Sequence, residues 1–400
     1  MRRPAGEKRT RAALASVTIV ATLALASTAL AGAPAASAST SVKVPSQVTA
    51  GMNELIHEYS PVTNLIGGSW WQAAVTLSTM ETYQQTTGDR TYEDPLIEAF
   101  RHYSGGNFEN NYDDDTAWWG LVWLQAYTLT HYAPYLNTAK TIAHYIHLDW
   151  TGTCGGGVWW RRSSPYDKNA IANELFLELT GWLYNTTHTG EYKTWAVDEW
   201  DWFAHSKMIT KSYQVRDGLP SGTYSTAACG DGSISANIYT YNQGVILAGL
   251  AQLYKATNNS AYLTEAEKIA NAALNPKLSR ATVTKQGVLN EPTCKIGSTT
   301  CGGDAQSFKG IFVRGLKTLN EIAPSSKNKY KASYNKFFGT QARCIETKDT
   351  IRITTIPPAR DFFGMFWGGP TKSGTYSTYT TASGLDALVA ALGLPSQSSC

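Results

Sequence analysis

The chain has 400 residues and a formal net charge of +3, from 34 Lys/Arg against 31 Asp/Glu. Five of those basic residues and one acid stand before residue 39; the remainder carries 29 basic and 30 acidic residues with no basic stripe, which excludes the polyanion-binding surface that nucleic acids require. Only 16% of the residues are charged, while 13 are Trp and 22 are Tyr, enough to fill a large core and still leave flat aromatic faces for a ligand.

Arg2, Arg3, Lys8, Arg9 and Arg11 precede an apolar stretch from Ala13 to Leu30, followed by Ala36-Ser37-Ala38. This is the pattern of a secretory signal over residues 1–38 with an A-x-A cleavage site, so the protein is expected to be secreted and extracellular. No later run approaches the length of a membrane span, and no membrane partner is expected. Residues 39–400 contain no linker and read as a single catalytic domain, expected to act as a monomer, with 39–63 as a short lead-in. All six cysteines lie in this region, and an even number in an exported chain suggests disulfides. Cys294 with Cys301 closes one short Gly/Ser/Thr loop; the pairing of Cys154, Cys229, Cys344 and Cys400 stays open.

From Asn64 onward, apolar residues at helical spacing alternate with Gly, Asn or Pro breaks, without the period-2 blocks a sheet needs. The pattern predicts helices over 67–87, 92–104, 114–130, 135–150, 168–188, 192–206, 236–257, 261–275, 306–323, 328–343 and 378–393. Turn signals such as Thr87-Gly88-Asp89 and Asn258-Asn259-Ser260 end several of them. Segment 344–377, with its Pro357-Pro358, reads as a loop or small hairpin. Helices of similar length, paired five or six times without a strict period, predict an all-α toroid of helical hairpins, an (α/α)6 barrel.

The most informative residues open the third of these helices. Asp113, Asp114 and Asp115 stand in NNYDDDTAWWGLVWLQAY, where a polar tract meets a tryptophan-rich helix. Breaking a glycosidic bond takes two carboxyl groups, one to donate a proton and one to attack or to activate water. Adjacent aspartates at a helix start diverge by roughly 100°, which puts their carboxyl carbons about 5–6 Å apart, near the retaining separation and short of the inverting one. Crowding and the neighbouring Trp118 and Trp119 would raise one of the two pKa values. Aspartates at such a position also cap free N–H groups and complement the helix dipole; the third acid, the two tryptophans and the Asn-Tyr lead-in favour the chemical reading.

Further along, Gly155-Gly156-Gly157 is read as a place where backbone approaches a ligand, with Trp159 and Trp160 offering faces to a sugar ring. Lys168-Asn169, Asn173 and Tyr241-Asn242-Gln243 could place polar groups on hydroxyls from helix starts, and Asp304, Phe308 and Lys309 repeat the pattern. About half of such residues cap helices or bridge loops instead. Glu174 and Glu178, at i and i+4, form a rival carboxylate pair and are read as partly buried or surface residues. No C-x-x-C pair and no H-E-x-x-H occurs, and His144 with His147 reads as surface or packing, so neither a metal nor any other cofactor is expected.

The run YDDDTAWWG resembles the signature of glycoside hydrolase family 76, and the resemblance continues in order through GGGVWWRR from Gly155, KNAIANELFLELTGWLY from Lys168, TYNQGVILAGLAQLY from Thr240 and FKGIFVRGL from Phe308. It covers nearly all of 39–400. The family pattern, two aspartates, two variable residues and an aromatic pair, falls on Asp114 and Asp115 counted back from Trp118-Trp119, and leaves Asp113 as an extra acid. The resemblance implies a secreted endo-α-1,6-mannanase acting on α-1,6-linked microbial mannan, with Asp114 as nucleophile and Asp115 as general acid/base. Alternatives are a mannan transglycosylase, a non-catalytic carbohydrate-binding protein on the same toroid, or another (α/α)6 enzyme. Hydrolysis is preferred over transfer because the polar end Pro395 to Cys400 lacks the hydrophobic tail of anchored relatives.

Overall fold

The computed structural model describes residues 42–163, 167–220, 234–295, 301–355, 357–369, 375–395, 397 and 399–400. The signal-like segment and Cys229 lie outside the described residues. Ser41–Cys400 forms one compact unit.

Twelve α-helices occur among the described residues: α1 (Ser46–His57), α2 (Trp70–Thr87), α3 (Asp94–Tyr103), α4 (Asp113–Thr130), α5 (Ala133–His147), α6 (Ala170–Thr187), α7 (Gly190–His205), α8 (Thr240–Thr257), α9 (Ser260–Ala273), α10 (Ala305–Ile322), α11 (Lys331–Lys348) and α12 (Thr378–Ala390). The even-numbered helices form a closed ring, α2 on α4, α4 on α6, α6 on α8, α8 on α10, α10 on α12 and α12 back on α2. The odd-numbered ones form the outer layer. The eleven helices expected from the sequence are all present, within a few residues of their bounds, in an (α/α)6 barrel.

The two layers differ in composition. Ring helix α8 is buried from Asn242 through Tyr254 without a break, and α6 from Ala170 through Leu177. A helix buried all round shows no polar stripe, and most of the apolar burial in the protein sits in this ring. Outer helices such as α3 and α9 keep one apolar stripe and one wet face. The ring is narrowest between α8 and α10, where a Cβ on Gly315 would stand 2.0 Å from the Gly244 carbonyl oxygen, so only glycine permits the approach.

Ring helices α2, α4, α6 and α8 each end on a left-handed residue, Gly88, His131, His188 and Asn258, whose N–H returns to the carbonyl four residues back. The chain then enters the next outer helix after a short turn. Connections from outer helix to ring helix are longer, and they gather at the end of the barrel where the ring helices begin. That end carries the candidate site.

Two differences from the sequence reading concern the ends of the chain. The lead-in 39–63 contains α1, which packs on α12 and on strand β4; Val48, Met52 and Leu55 bury one face of it. Tyr59–Ser60 (β1) pairs with Leu65–Ile66 (β2), and in 344–377 the expected hairpin is β3 (Thr350–Ile353) against β4 (Arg360–Phe363), held by a two-pronged Arg352–Asp361 ion pair. Cys294 and Cys301 are bonded as expected, and Cys344 is bonded to Cys400. No described helix is long and apolar enough to cross a membrane.

Candidate active site

Tyr112 is extended (φ −118°, ψ 124°) and helix α4 starts at the next residue, so all three aspartates occupy its first turn at the positive end of the helix dipole. The turn before it is built on Asn110. Its Oδ1 accepts from the Tyr112 N–H at 2.8 Å, and its Nδ2 donates to Asp115 Oδ2 at 2.7 Å. A second extended strand of chain, 158–163, runs alongside: Tyr112 bridges Arg161, Asp113 N–H donates to the Trp160 carbonyl at 3.0 Å, and Arg162 N–H to the Asn111 carbonyl at 3.0 Å. This register brings the Trp160 indole N–H to 3.1 Å from Asp114 Oδ2.

Asp114 and Asp115 face a cleft of about 560 Å³ at the ring-helix starts. Its aromatic walls are Trp71, Tyr112, Trp118, Trp160, Tyr239, Tyr241 and Phe308. Trp71 stacks on Trp118 at 6.2 Å, and Tyr241 lies flat on Phe308 at 4.0 Å, so the rings are held in fixed planes. Three further carboxyl groups, of Asp167, Asp217 and Asp304, stand around the same space. Flat rings interleaved with acceptors suit a ligand with C–H faces and hydroxyl edges.

Burial and repulsion from Asp115 push the Asp114 carboxyl up to about 8. Burial pushes Asp115 up to about 6, with the Asn110 bond opposing and Asp304 adding to the rise. Both directions follow from taking two adjacent carboxylates out of water, and the two groups titrate as a pair. Asp217 is raised by burial, against hydrogen bonds from Asn242 and Tyr241. Asp113 is fully buried and points away from the cleft toward Arg162.

Of the residues singled out in the sequence, Asp114, Asp115, Trp118, Trp160, Asn169, Tyr241, Asp304 and Phe308 line the cleft together. Asn169 also caps α6, accepting from Ala172 N–H. The others serve the scaffold behind it. Asn173 is buried and clasps both backbone groups of Val158, and Gln243 does the same for Val215. Asn242 is buried and reaches Asp217 from behind at 3.5 Å. Lys309 is buried, donates to the Met365 carbonyl at 2.6 Å and lies 4.0 Å over the Trp367 ring, outside the cleft lining. Trp159 is buried beneath the Lys168 ammonium at 4.8 Å; in extended chain its neighbour Trp160 takes the opposite face.

The Gly155-Gly156-Gly157 run approaches a side chain, not a ligand. A Cβ on Gly157 would meet the Trp202 ring at 2.5 Å, and the carbonyls of Gly156 and Gly157 accept from Lys168 Nζ at 2.6 and 2.7 Å. Glu174 is wholly buried, deeper than expected, and Glu178 faces a separate cavity of about 240 Å³ beside Arg314, so this pair takes no part in the cleft. His147 stacks on Trp195 at 3.9 Å and His144 lies against the same ring. Among the described residues no group of His, Cys, Asp and Glu is arranged to hold a metal ion.

Sequence reasoning passed over Asn110, Trp71, Asp167, Asp217 and Tyr239. Trp71 opens a predicted helix, a position shared by every other ring-helix residue in the site, and could have been found on that ground. Asp167 and Asp217 sit in irregular chain with no periodicity to place them.

The sequence matches the profile described as Glycosyl hydrolase family 76 over residues 43–397. The chain belongs to that family. Among curated relatives, a putative mannan endo-1,6-alpha-mannosidase of Schizosaccharomyces pombe is 29% identical over 303 residues, 70% of this chain. The match spans 65% of that relative, less than two thirds of its length. Among solved structures, the GH76A alpha-1,6-mannanase of Salegentibacter sp. HEL1_6 superposes with a TM-score of 0.73 at 22% identity, covering 86% of this chain and 98% of the other. An inactive variant of that mannanase with two adjacent aspartates replaced has been solved with alpha-1,6-mannotriose, and superposes with a TM-score of 0.72 at 22% identity, with the same coverage.

Proposed function

We propose that the protein is a secreted retaining endo-α-1,6-mannanase that hydrolyses the α-1,6-linked backbone of a microbial mannan, with Asp114 as nucleophile and Asp115 as general acid/base. The observation that carries this reading is the adjacent Asp114–Asp115 pair lining an aromatic cleft. The Schizosaccharomyces pombe relative and the Salegentibacter mannanase support the bond type, and the inactive two-aspartate variant of the latter supports the pair.

In this reading, a mannose ring lies on the cleft aromatics with its anomeric carbon above Asp114. Asp115 gives its proton to the departing glycosidic oxygen while an Asp114 oxygen bonds to the anomeric carbon, forming a mannosyl ester and a shortened mannan. Water then attacks the ester, giving a proton to Asp115 and releasing Asp114 as carboxylate. Two inversions leave the α configuration intact. The roles follow the family pattern; each carboxyl accepts one hydrogen bond, Asp114 from Trp160 and Asp115 from Asn110. Trp160 N–H on Asp114 Oδ2 favours charge on Asp114, whereas the neighbouring Asp304 favours a proton on Asp115. The stronger burial of Asp114 pulls the proton the other way.

The reading is tested by incubating residues 39–400 with linear α-1,6-mannan and, separately, with α-1,2- and α-1,3-linked mannosides, following the products by chromatography and the new anomeric centre by NMR. Short α-1,6 oligomers released first as the α-anomer are expected. Initial β-anomer would replace retention by inversion, and binding without cleavage would make the protein a mannan-binding module.

A further inference from the structure

The acid left over by the family pattern has a place in the structure. Asp113 is fully buried at the first residue of α4, and its Oδ1 pairs with Arg162 Nη1 at 3.2 Å. The same guanidinium pairs with Asp149, just beyond the end of α5, at 2.9 Å, donates to the Tyr145 carbonyl at 2.9 Å, and lies 3.6 Å over the Tyr145 ring. Arg162 is two residues from Trp160, in the extended segment whose register against 111–113 sets the indole on Asp114.

We propose that Asp113, Arg162 and Asp149 form a charged clamp that positions Trp160 for the reaction, by locking segment 158–163 onto the α4–α5 hairpin so that the indole N–H stays on Asp114 Oδ2. The role in the reaction rests on the catalytic reading above; the clamp itself does not. Two acidic side chains share one guanidinium nitrogen, and burial together with Asp149 raises Asp113 to about 9, which favours its neutral form beside the ionised partner. The ends of the segment are held by other side chains, Val158 by Asn173 and Ser163 N–H by Asn111 Oδ1. Arg162 fixes its tilt, because it is anchored at once to both helices. The other groups facing Asp114 are Asp115 on its own helix and Tyr241 from α8, and neither touches the clamp.

The test uses residues 39–400 with ¹⁵N-labelled tryptophan. The Trp160 indole resonance is assigned by its loss in Trp160→Phe and followed from pH 4 to 9, where in the parent protein it is expected to titrate with the Asp114–Asp115 pair. In Arg162→Met and Asp113→Ala that resonance should move and its titration should flatten. Asp113→Asn, which keeps the shape and an oxygen for Arg162, should restore both. If Arg162→Met does not fold, Arg162→Lys, which keeps the charge and loses the flat guanidinium over Tyr145, must still shift the resonance. An unchanged resonance in Asp113→Ala or in either folded Arg162 variant overturns the clamp, whether or not the protein cleaves mannan. Where cleavage is seen, Asp113→Ala should lower kcat about 10- to 100-fold with KM nearly unchanged, and should add nothing in a Trp160→Phe background. Additive losses would show that Asp113 does not act through Trp160.

Discussion

Asn110 donates its side-chain N–H to Asp115 Oδ2 at 2.7 Å, and the same side chain accepts the backbone N–H of Tyr112 at 2.8 Å. One amide therefore shapes the turn that starts α4 and holds the proposed acid by one oxygen, leaving the other toward the cleft. The bond favours the ionised form of Asp115 and opposes the rise caused by burial. Asn110→Ala should raise the proton affinity of Asp115, moving the acidic limb of the kcat/KM profile to higher pH while kcat falls. In the parent protein that profile should be bell-shaped, with limbs near pH 6 and 8 that belong to the pair. An acidic limb that stays in place in Asn110→Ala would remove this bond from the titration.

Replacing either member of the pair separates their roles. Asp114→Asn and Asp115→Asn should each fold normally and lose turnover by several orders of magnitude on mannan, about what removal of a nucleophile or acid costs elsewhere. On mannosyl fluoride, a good leaving group that needs little protonation, Asp115→Ala should keep first-step activity and Asp114→Ala should not. The reverse pattern would exchange the two roles.

Stability should fall as the solution turns alkaline. Besides Asp113, burial raises Glu54 and Glu291 to about 7, Glu178 and Glu199 to about 8 and Asp386 to about 6. A carboxyl whose folded pKa is raised binds more protons folded than unfolded; its contribution is full below the unfolded value of about 4 and is lost as pH climbs through the folded value. Lys309, lowered to about 7, acts in the opposite sense above that pH, but it is one group against six. The thermal midpoint should therefore drop between pH 5 and pH 9. A midpoint that rises over that interval would contradict the burial of these acids.

Lys168→Met should unfold the rim of the site before the barrel. The ammonium donates to the carbonyls of Thr151, Thr153, Gly156 and Gly157, and to Thr151 Oγ1. Removing it leaves buried acceptors and Glu199 without their cation, a loss of about 3–5 kcal/mol. Denaturant titration should show the loss, and hydrogen exchange should rise first in 151–160. A change under about 1 kcal/mol would mean that water replaces the ammonium.

Helices were the part of this protein written most openly in its amino acids. Spacing of apolar residues, with stops such as Gly88 and Asn258, determines eleven of the twelve, because the signal for a helix is local and repeats every turn. Helix α1 was passed over: it is short, follows Pro45, and gains its stability from α12 and β4, which lie more than 300 residues away in the chain. The catalytic candidates were legible for the same reason as the helices, since Asp114, Asp115 and Trp118 share one helix start.

Only the tertiary structure decided what the remaining polar residues do. Lys309, Asn173 and Gln243 stand at helix starts just as Asn169 and Tyr241 do, and nothing local separates them. Ring closure turns the second group into the cleft and the first against buried backbone carbonyls, whose unmet hydrogen bonds must be satisfied somewhere. The same closure brings Asp217 from irregular chain to the cleft, and sets Arg162 between Asp113 and Asp149. Sequence fixes which side chains are available near a helix start; the direction each one faces depends on partners that folding brings from distant parts of the chain.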